Sequence, residues 1–274
     1  FFYGGGPRAS LGKFKFTFTW LYSLFCNYFL CIICFWTWFY AHVSPSNMFW
    51  FQQGLCILPV ILVTSSSATF IISYIIAILR RDVDVFLPYI SDTGNSPPES
   101  CIFGLMTFVS ACAGVSTIYA MYKFMAKLGE DTGTISTCWN KAALGFGLIS
   151  CFGMCVVATF QETAVETVHL IGALLFFLCG ALYISLETYL SYCSYPYGSS
   201  LFICRARFII SVISVVAFFP TVICKFLEKD PLLQKTSAGC EWIVAFSFIS
   251  YFYTYVHDFK QFTLKFRTVC RTGT

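Results

Sequence analysis

The chain has 274 residues, of which 58% are apolar, 20% aromatic and only 11% charged, and its formal net charge is +4. A soluble domain carries about 25% charged residues, so this composition excludes an ordinary soluble protein and requires lipid around the excess apolar surface. The basic residues form no stripe interleaved with polar residues, which excludes a nucleic-acid-binding protein. We therefore expect a polytopic membrane protein.

The first 47 residues differ from the rest of the chain. Residues 1–15 are rich in glycine and basic residues, and an apolar, aromatic-rich segment follows at 16–43. That segment is long enough to cross a bilayer. We interpret 1–47 as an N-terminal extension that is either an extra span or an artefact of the gene model, and 48–274 as a single membrane domain.

Six further apolar segments each have roughly the 17–25 residues that a spanning helix needs. They lie at 55–79, 101–124, 142–160, 168–192, 208–227 and 241–256. Loop signals separate several of them, at 129–133, 195–198 and 229–231. The sequence predicts an all-α, polytopic transmembrane helix bundle of six spans, plus an extra N-terminal apolar helix if 16–43 also spans.

The distribution of lysine and arginine predicts the orientation, because cytosolic loops carry the excess of these residues. With six spans, one side of the membrane receives nine of them, including Arg207 and four in the C-terminal tail, and the other side receives five. This split places the C-terminus in the cytosol. It places the connection between the first two spans on the lumenal side.

That connection holds the most distinctive stretch of the chain, residues 88–99, which we call the 88–99 loop. Its members are Pro88, Tyr89, Ile90, Ser91, Asp92, Thr93, Gly94, Asn95, Ser96, Pro97, Pro98 and Glu99. Proline fixes φ and lacks an N–H, while Gly, Asn and Asp favour turns, so the pattern predicts an ordered loop.

The triplet Asp-Thr-Gly occurs at 92–94 and again at 131–133. Aspartic proteases use two such triplets, but their carboxylates must meet to share one proton. Here consecutive loops place Asp92 and Asp131 on opposite sides of the membrane, so we reject a protease. We interpret both triplets as turns and expect the Asp92 carboxylate to be exposed.

Ionisable and polar side chains near the spans are candidate functional positions, because such groups are costly in lipid and face the protein interior. The set comprises Gln161, Glu162, His169, Glu187, Glu241 and Asp258. They predict either a polar path within the bundle or a set of structural groups. In the structural alternative, the boundary residues are solvated caps and Glu187 bonds a serine or threonine on a neighbouring helix.

The sequence offers no chemistry typical of an enzyme. There is no phosphate-binding glycine loop, and the three histidines have no local Ser or Cys partner. The 15 cysteines lie mostly in apolar runs without zinc-ligand spacing, so we expect them to pack as small hydrophobic residues. We expect no catalytic residues, no metal and no cofactor.

Several segments carry a resemblance to a known family. They are 48–59 (Met-Phe-Trp-Phe-Gln-Gln-Gly-Leu-Cys-Ile-Leu-Pro), 68–74, 87–94, 97–99, 103–104, 140–142, 150–153, 158–162, His169, 172–173, 241–242, 245–246 and 258–259. Over 48 to about 264 the chain resembles the DRAM proteins, the damage-regulated autophagy modulators. A wider superfamily, which includes proteins of GPI-anchor lipid remodelling, shares mainly the Pro-Tyr-Ile-Ser-Asp stretch of the loop.

The resemblance implies a six-span membrane protein of lysosomes and related compartments, with Met48 as the natural start. The chain departs from the family pattern in its N-terminal extension, in its short tail and at Glu187, where an uncharged polar residue is expected. The resemblance further implies a non-enzymatic lysosomal protein, with endosomes and the Golgi as further compartments, that promotes or regulates autophagy. The implied partners are the lipid bilayer and unidentified membrane or autophagy proteins.

Two alternatives belong to other functional classes. One is a transporter or lipid-handling protein, such as a scramblase, that uses the intramembrane polar residues as a substrate path. The other is a lipid-remodelling enzyme or its cofactor, acting on GPI lipids by analogy with the wider superfamily. Reconstituted flux assays and lipid analysis distinguish these alternatives from a regulator of autophagy.

Overall fold

The computed structural model describes residues 55–227 and 230–260 of the chain. The extension 1–47, its apolar segment 16–43 and most of the tail lie outside the described residues. Within them, six long helices follow one another without a β-strand. They are α1 (Ile57–Arg80), α2 (Glu99–Thr132), α3 (Thr137–Thr159), α4 (Glu166–Cys193), α5 (Leu201–Phe226) and α6 (Pro231–Lys260).

Each predicted span corresponds to one of these helices, so the prediction of an all-α, polytopic helix bundle is confirmed. Helices α1 to α5 are long and apolar enough to cross a membrane, whereas α6 is not apolar enough. The reason is its position, because every residue from 237 to 249 is buried against other parts of the protein. A helix shielded from lipid by its neighbours can carry polar residues.

The helix ends differ most from the predicted boundaries at two loops. The segment 129–133 was predicted as a loop, but α2 continues to Thr132 and ends at Gly133, whose φ of 70° is left-handed. Glycine adopts this conformation readily and commonly ends helices. The last span was predicted to begin at Glu241, but α6 begins at Pro231, ten residues earlier. The Asp230 carboxylate caps this start by accepting the Leu232 N–H at 3.1 Å.

Consecutive helices pack as antiparallel neighbours, and α6 closes the bundle by packing against α1 as well as α5. Aromatic side chains join α6 to the neighbouring helices. The rings of Phe176 on α4 and Phe248 on α6 are 5.5 Å apart, and Phe70 on α1 lies 6.0 Å from Trp242. The bundle has two ends. We call the end that carries the 88–99 loop the loop end, and the opposite one the tail end.

Candidate functional site

The 88–99 loop has an ordered conformation, as the sequence predicts. Residues Asp92–Gly94 form one turn of 3-10 helix, in which the Gly94 N–H donates to the Ser91 carbonyl at 3.0 Å. Glu99 is already the first residue of α2. The Asp92 carboxylate was expected to be exposed, but Asp92 is half-buried, because the loop folds back onto the bundle.

Helix α6 holds the beginning of the loop. The Trp242 indole N–H donates to the Pro88 carbonyl at 2.8 Å, and the Ile90 N–H donates to the Glu241 carboxylate at 3.1 Å. Both loop residues therefore have their backbone polar groups satisfied by adjacent residues of a buried helix. Glu241, predicted at the start of a span, lies inside α6 and is not a solvated cap.

Helices α1 and α2 hold the turn that follows. The hydroxyls of Ser73 on α1 and Thr93 are 3.1 Å apart and form a buried hydrogen bond. Gly94 lies against the buried ring of Phe103, and a Cβ atom there would come within 2.6 Å of the ring. The position therefore requires glycine because of close packing.

The remaining loop residues complete its attachment. Pro97 and Pro98 are exposed and Glu99 is buried. Arg80 is its neighbour of opposite charge, and the Arg80 Nε lies 3.7 Å from the Glu99 carboxylate. Among the described residues, neither Glu99 oxygen has a hydrogen-bond partner. The Tyr89 ring lies under the Lys225 ammonium, with 4.1 Å from Nζ to the ring centre.

A charged cluster at the loop end is centred on Glu162, in the connection between α3 and α4. Its carboxylate accepts hydrogen bonds from the Ser91 hydroxyl at 2.7 Å and the Lys225 ammonium at 3.0 Å. The His169 Nε2 lies 4.0 Å away, and its Nδ1 donates to the Phe160 carbonyl at 2.6 Å. Burial alone raises the pKa of Glu162, but the Ser91 hydrogen bond and the Lys225 charge outweigh it and lower this pKa.

The neighbouring Gln161 contributes its backbone, since its carbonyl accepts the N–H groups of Ala164 and Val165 and closes the connection. A cleft of about 390 Å³ opens beside the loop, between its backbone and the first turns of α6. At its edge the Lys235 ammonium donates to Asp84 at 2.8 Å, and this contact lowers the pKa of Asp84.

A second polar cluster lies at the tail end and is fully buried. Arg207 on α5 forms an ion pair and a hydrogen bond with Asp258 on α6. It also donates to the hydroxyls of Thr254, Ser191 and Ser199, at 2.8, 2.8 and 2.9 Å. Arg207 is 0% exposed. Counting it among the cytosolic loop residues was therefore wrong, and the count becomes eight against five.

Two tyrosines of α6 line the same cluster. The Arg207 guanidinium carbon lies 5.0 Å from the centre of the Tyr255 ring, a cation–π contact. The Tyr255 hydroxyl is hydrogen-bonded to that of Tyr183 at 2.8 Å, and the Tyr251 hydroxyl to that of Thr188 at 3.1 Å. Asp258 is thus a structural ion-pair partner and not the solvated cap that the structural alternative required.

Glu187 lies on α4 beside this cluster and is 1% exposed. The structural alternative predicted a hydrogen bond from a neighbouring serine or threonine to its carboxyl group. Instead, Oε2 has no hydrogen-bond partner among the described residues, and the adjacent Ser191 hydroxyl bonds the Glu187 backbone carbonyl at 2.7 Å. Glu187 is therefore a buried carboxyl group beside an ion pair that is already complete.

The six candidate positions thus divide between the two ends of the bundle. Gln161, Glu162, His169 and Glu241 gather beneath the 88–99 loop, and Glu187 and Asp258 lie at the tail end. Sequence reasoning missed three residues of these clusters: Arg207, Lys225 and Trp242. Lys225 and Trp242 could have been found, because lysine and tryptophan are enriched near the ends of membrane spans.

The two Asp-Thr-Gly triplets lie at opposite ends of α2. Within the described residues no group of His, Cys, Asp or Glu side chains is arranged to hold a metal ion.

Comparison with known proteins identifies relatives of this chain. The family of the Frag1/DRAM/Sfk1/Cwh43P N-terminal domain matches residues 54–262. The chain is 45% identical over 232 residues to DNA damage-regulated autophagy modulator protein 1 of Homo sapiens, covering 81% of this chain and 98% of that protein. It is 38% identical over 237 residues to DNA damage-regulated autophagy modulator protein 2 of Rattus norvegicus, and this match covers 80% of this chain and 88% of that protein.

A more distant relative is the modulator of macroautophagy TMEM150B of Danio rerio, which is 27% identical over 219 residues, covering 79% of this chain and 90% of that protein. No solved structure matches the chain.

Proposed function

Since this chain belongs to the Frag1/DRAM/Sfk1/Cwh43P family, we propose that it is a lysosomal multi-pass membrane protein that modulates autophagy without catalysing a reaction. The proposal is based on the similarity to DNA damage-regulated autophagy modulator protein 1, which is 45% identical to this chain over 98% of its own length. The 88–99 loop and both polar clusters lie within the matched residues 54–262.

The polar groups at the loop end hold the 88–99 loop in place. The Glu162 carboxylate already accepts from Ser91 and Lys225, and Glu241 accepts the Ile90 N–H. These contacts fix the backbone of the 88–99 loop against the bundle. An ordered loop with an adjoining cleft of about 390 Å³ is suited to contact with another membrane protein.

The orientation that we propose has the C-terminus in the cytosol and the 88–99 loop in the lumen. Without the buried Arg207, eight lysines and arginines lie on the tail side and five on the loop side. The tail side still has more of these basic residues than the loop side, so the positive-inside rule gives the same orientation. This orientation counts α6 as the sixth crossing, in the interior of the bundle.

The function is tested by disrupting the gene and measuring autophagic flux, as lysosome-dependent turnover of an autophagosome marker, under starvation and genotoxic stress. We expect flux to fall and to recover when the chain is restored. A tagged chain should co-localise with lysosomal membranes, and selective protease access should place its C-terminus in the cytosol. Unchanged flux under both stresses would contradict the function, and residence outside lysosomes would contradict the location.

A further inference from the structure

Two buried carboxyl groups lie at different depths of the bundle, and neither is neutralised by a cation of its own. Near the tail end, Glu187 faces Arg207, but the charge of Arg207 is already balanced by Asp258. Near the loop end, Glu241 accepts one backbone N–H, from Ile90. An isolated carboxylate is costly in a low-dielectric interior, so burial favours the protonated, neutral form. Both groups are suited to binding a proton and releasing it.

An internal cavity of about 50 Å³ begins at Glu241. His169 and Ser91 also line it, and these residues belong to the Glu162 cluster at the loop end. Thr107 lines the same cavity, and its buried hydroxyl has no hydrogen-bond partner within the described part of the chain. A water needs about 10–15 Å³, which this cavity exceeds. Its wall is mostly apolar, and its polar groups are few.

A second cavity, of about 40 Å³, continues toward the tail end. The two cavities share Ser66, Phe70, Met154, Phe176 and Ala245 as lining residues, so they adjoin. Together they extend from Glu241 through the middle of the bundle.

The far wall of the second cavity includes Tyr183. The Tyr183 hydroxyl is bonded to that of Tyr255, and Glu187 lies one helical turn from Tyr183 on the same face of α4. Beyond Glu187, the Arg207–Asp258 pair leads to His257, which is half exposed and whose Nδ1 lies 3.7 Å from Asp258. Polar groups therefore continue to the surface at the tail end.

We propose that this protein carries protons through its helix bundle, between Glu241 and Glu187, by way of the two adjoining cavities and the Tyr183–Tyr255 hydroxyl pair. In each step one O–H bond breaks as the next forms, through side-chain hydroxyls or water. No redox partner is needed, and the net change is one proton moved from one side of the membrane to the other.

The groups that face the two carboxyls define the ends of this path. Around Glu241 they are Glu162, Asp92 and Lys225, with His169 across the cavity. These groups give Glu241 polar contact with the loop end.

Around Glu187 the facing groups are Arg207, Asp258 and three tyrosines, at 183, 251 and 255. Because Arg207 and Asp258 neutralise each other, Glu187 is the group here that binds the proton, which then reaches the surface by way of Asp258 and His257.

The lining of the cavities predicts how the path behaves. The second cavity has mostly apolar and aromatic walls, so water occupies it only transiently and proton passage is slow. Neither cavity offers the ring of oxygen ligands that a dehydrated sodium or potassium ion needs. The path therefore selects protons and behaves as a slow leak.

The test uses the purified full chain in liposomes that enclose a pH-sensitive dye, with valinomycin and a potassium gradient to drive proton entry. We expect the wild-type protein to acidify the interior faster than protein-free liposomes do. Glu187→Gln, Glu241→Gln and Tyr183→Phe should each slow this acidification about tenfold or more. Glu166→Gln is the matched control, because Glu166 is an exposed carboxylate at the loop end, and it should leave the rate unchanged.

Retention of the wild-type elution profile and melting temperature shows that each variant is folded, and Tyr183→Phe tests the path without altering any carboxyl group. Wild-type flux equal to that of empty liposomes would overturn the proposal. So would unchanged flux in the folded Glu187→Gln and Tyr183→Phe variants, or sodium and potassium fluxes as fast as the proton flux. The assay contains no autophagy machinery, so its outcome is independent of the test of cellular function.

Discussion

The Trp242 indole N–H donates a 2.8 Å hydrogen bond to the Pro88 carbonyl, across 154 positions of sequence. This bond joins the most buried helix of the bundle to the first residue of the 88–99 loop. Glu241, which precedes Trp242 on α6, also binds the loop, because its carboxylate accepts the Ile90 N–H. Helix α6 therefore holds the first residues of the 88–99 loop, as α1 and α2 hold the turn that follows.

Replacing Trp242 with phenylalanine tests this attachment. The substitution keeps an aromatic ring beside Phe246, 5.7 Å away, but leaves the buried Pro88 carbonyl without its donor. We expect a loss of about 1–3 kcal/mol in the free energy of unfolding, measured by thermal denaturation in detergent. Trp139→Phe is the matched control, because Trp139 is exposed, and it should change stability by less than about 0.5 kcal/mol. Equal effects of the two substitutions would contradict the attachment.

Replacing Gly94 with alanine tests the close packing of the loop on α2. The new Cβ would lie 2.6 Å from the Phe103 ring, so the turn or the ring must shift. We expect a destabilisation of about 1–3 kcal/mol with membrane insertion intact, and partial recovery when Phe103→Leu is added. Gly145→Ala is the control, because a Cβ atom at Gly145 would extend into open space and alanine favours the helix. A Gly94→Ala protein as stable as the Gly145→Ala protein would disprove the steric argument.

The sequence predicted the existence of all six helices because long apolar runs have few alternatives in lipid. It did not predict where α6 begins, because hydropathy reports contact with lipid and α6 is enclosed by protein. Asp230 followed by Pro231 was the local signal for that start, since aspartate caps helices and proline suits the first helical position.

The candidate site was predictable only in part. Glu187 and Glu241 were identified from their cost in a membrane, but which groups face them depends on how helices distant in sequence pack. The Arg207–Asp258 pair spans 51 positions, and no local pattern indicates it. Arg207 therefore looked like a loop residue beside a predicted span, although it is buried.

The Arg207–Asp258 pair should be far more important for stability than ion pairs on the surface. Asp258→Asn leaves the guanidinium buried without its counter-charge, and we expect a loss of about 3–5 kcal/mol in the free energy of unfolding. Asp131→Asn, which breaks an exposed 2.9 Å pair with Lys127, should change stability far less, because solvent screens exposed ion pairs. Thermal denaturation of both variants gives the comparison. Similar losses would show that the buried pair contributes no more than the exposed one.

The Glu162 cluster predicts how stability depends on pH at the loop end. Although burial opposes it, the contacts with Ser91 and Lys225 hold the folded pKa of Glu162 below its ordinary value. Its contribution to stability is therefore complete above about pH 4.3, the pKa of an unfolded glutamate, and is lost as pH falls through the lower folded pKa.

Melting temperatures measured from pH 7 to pH 3 check this dependence. Glu162→Gln should be less stable than the wild type at pH 7 and should approach it below about pH 4. Glu166→Gln, with no such contacts, should follow the wild-type curve. A difference between Glu162→Gln and the wild type that vanishes between pH 7 and pH 5 would contradict the lowered pKa.

The most direct measurement is rescue of autophagic flux in starved cells that lack the gene. We expect the wild-type chain and Gly145→Ala to restore lysosome-dependent turnover of the autophagosome marker, and Gly94→Ala, expressed at matched membrane levels, to restore much less. That result would connect the ordered 88–99 loop to the proposed function. If flux is the same in cells with and without the chain, the proposal that it modulates autophagy is wrong.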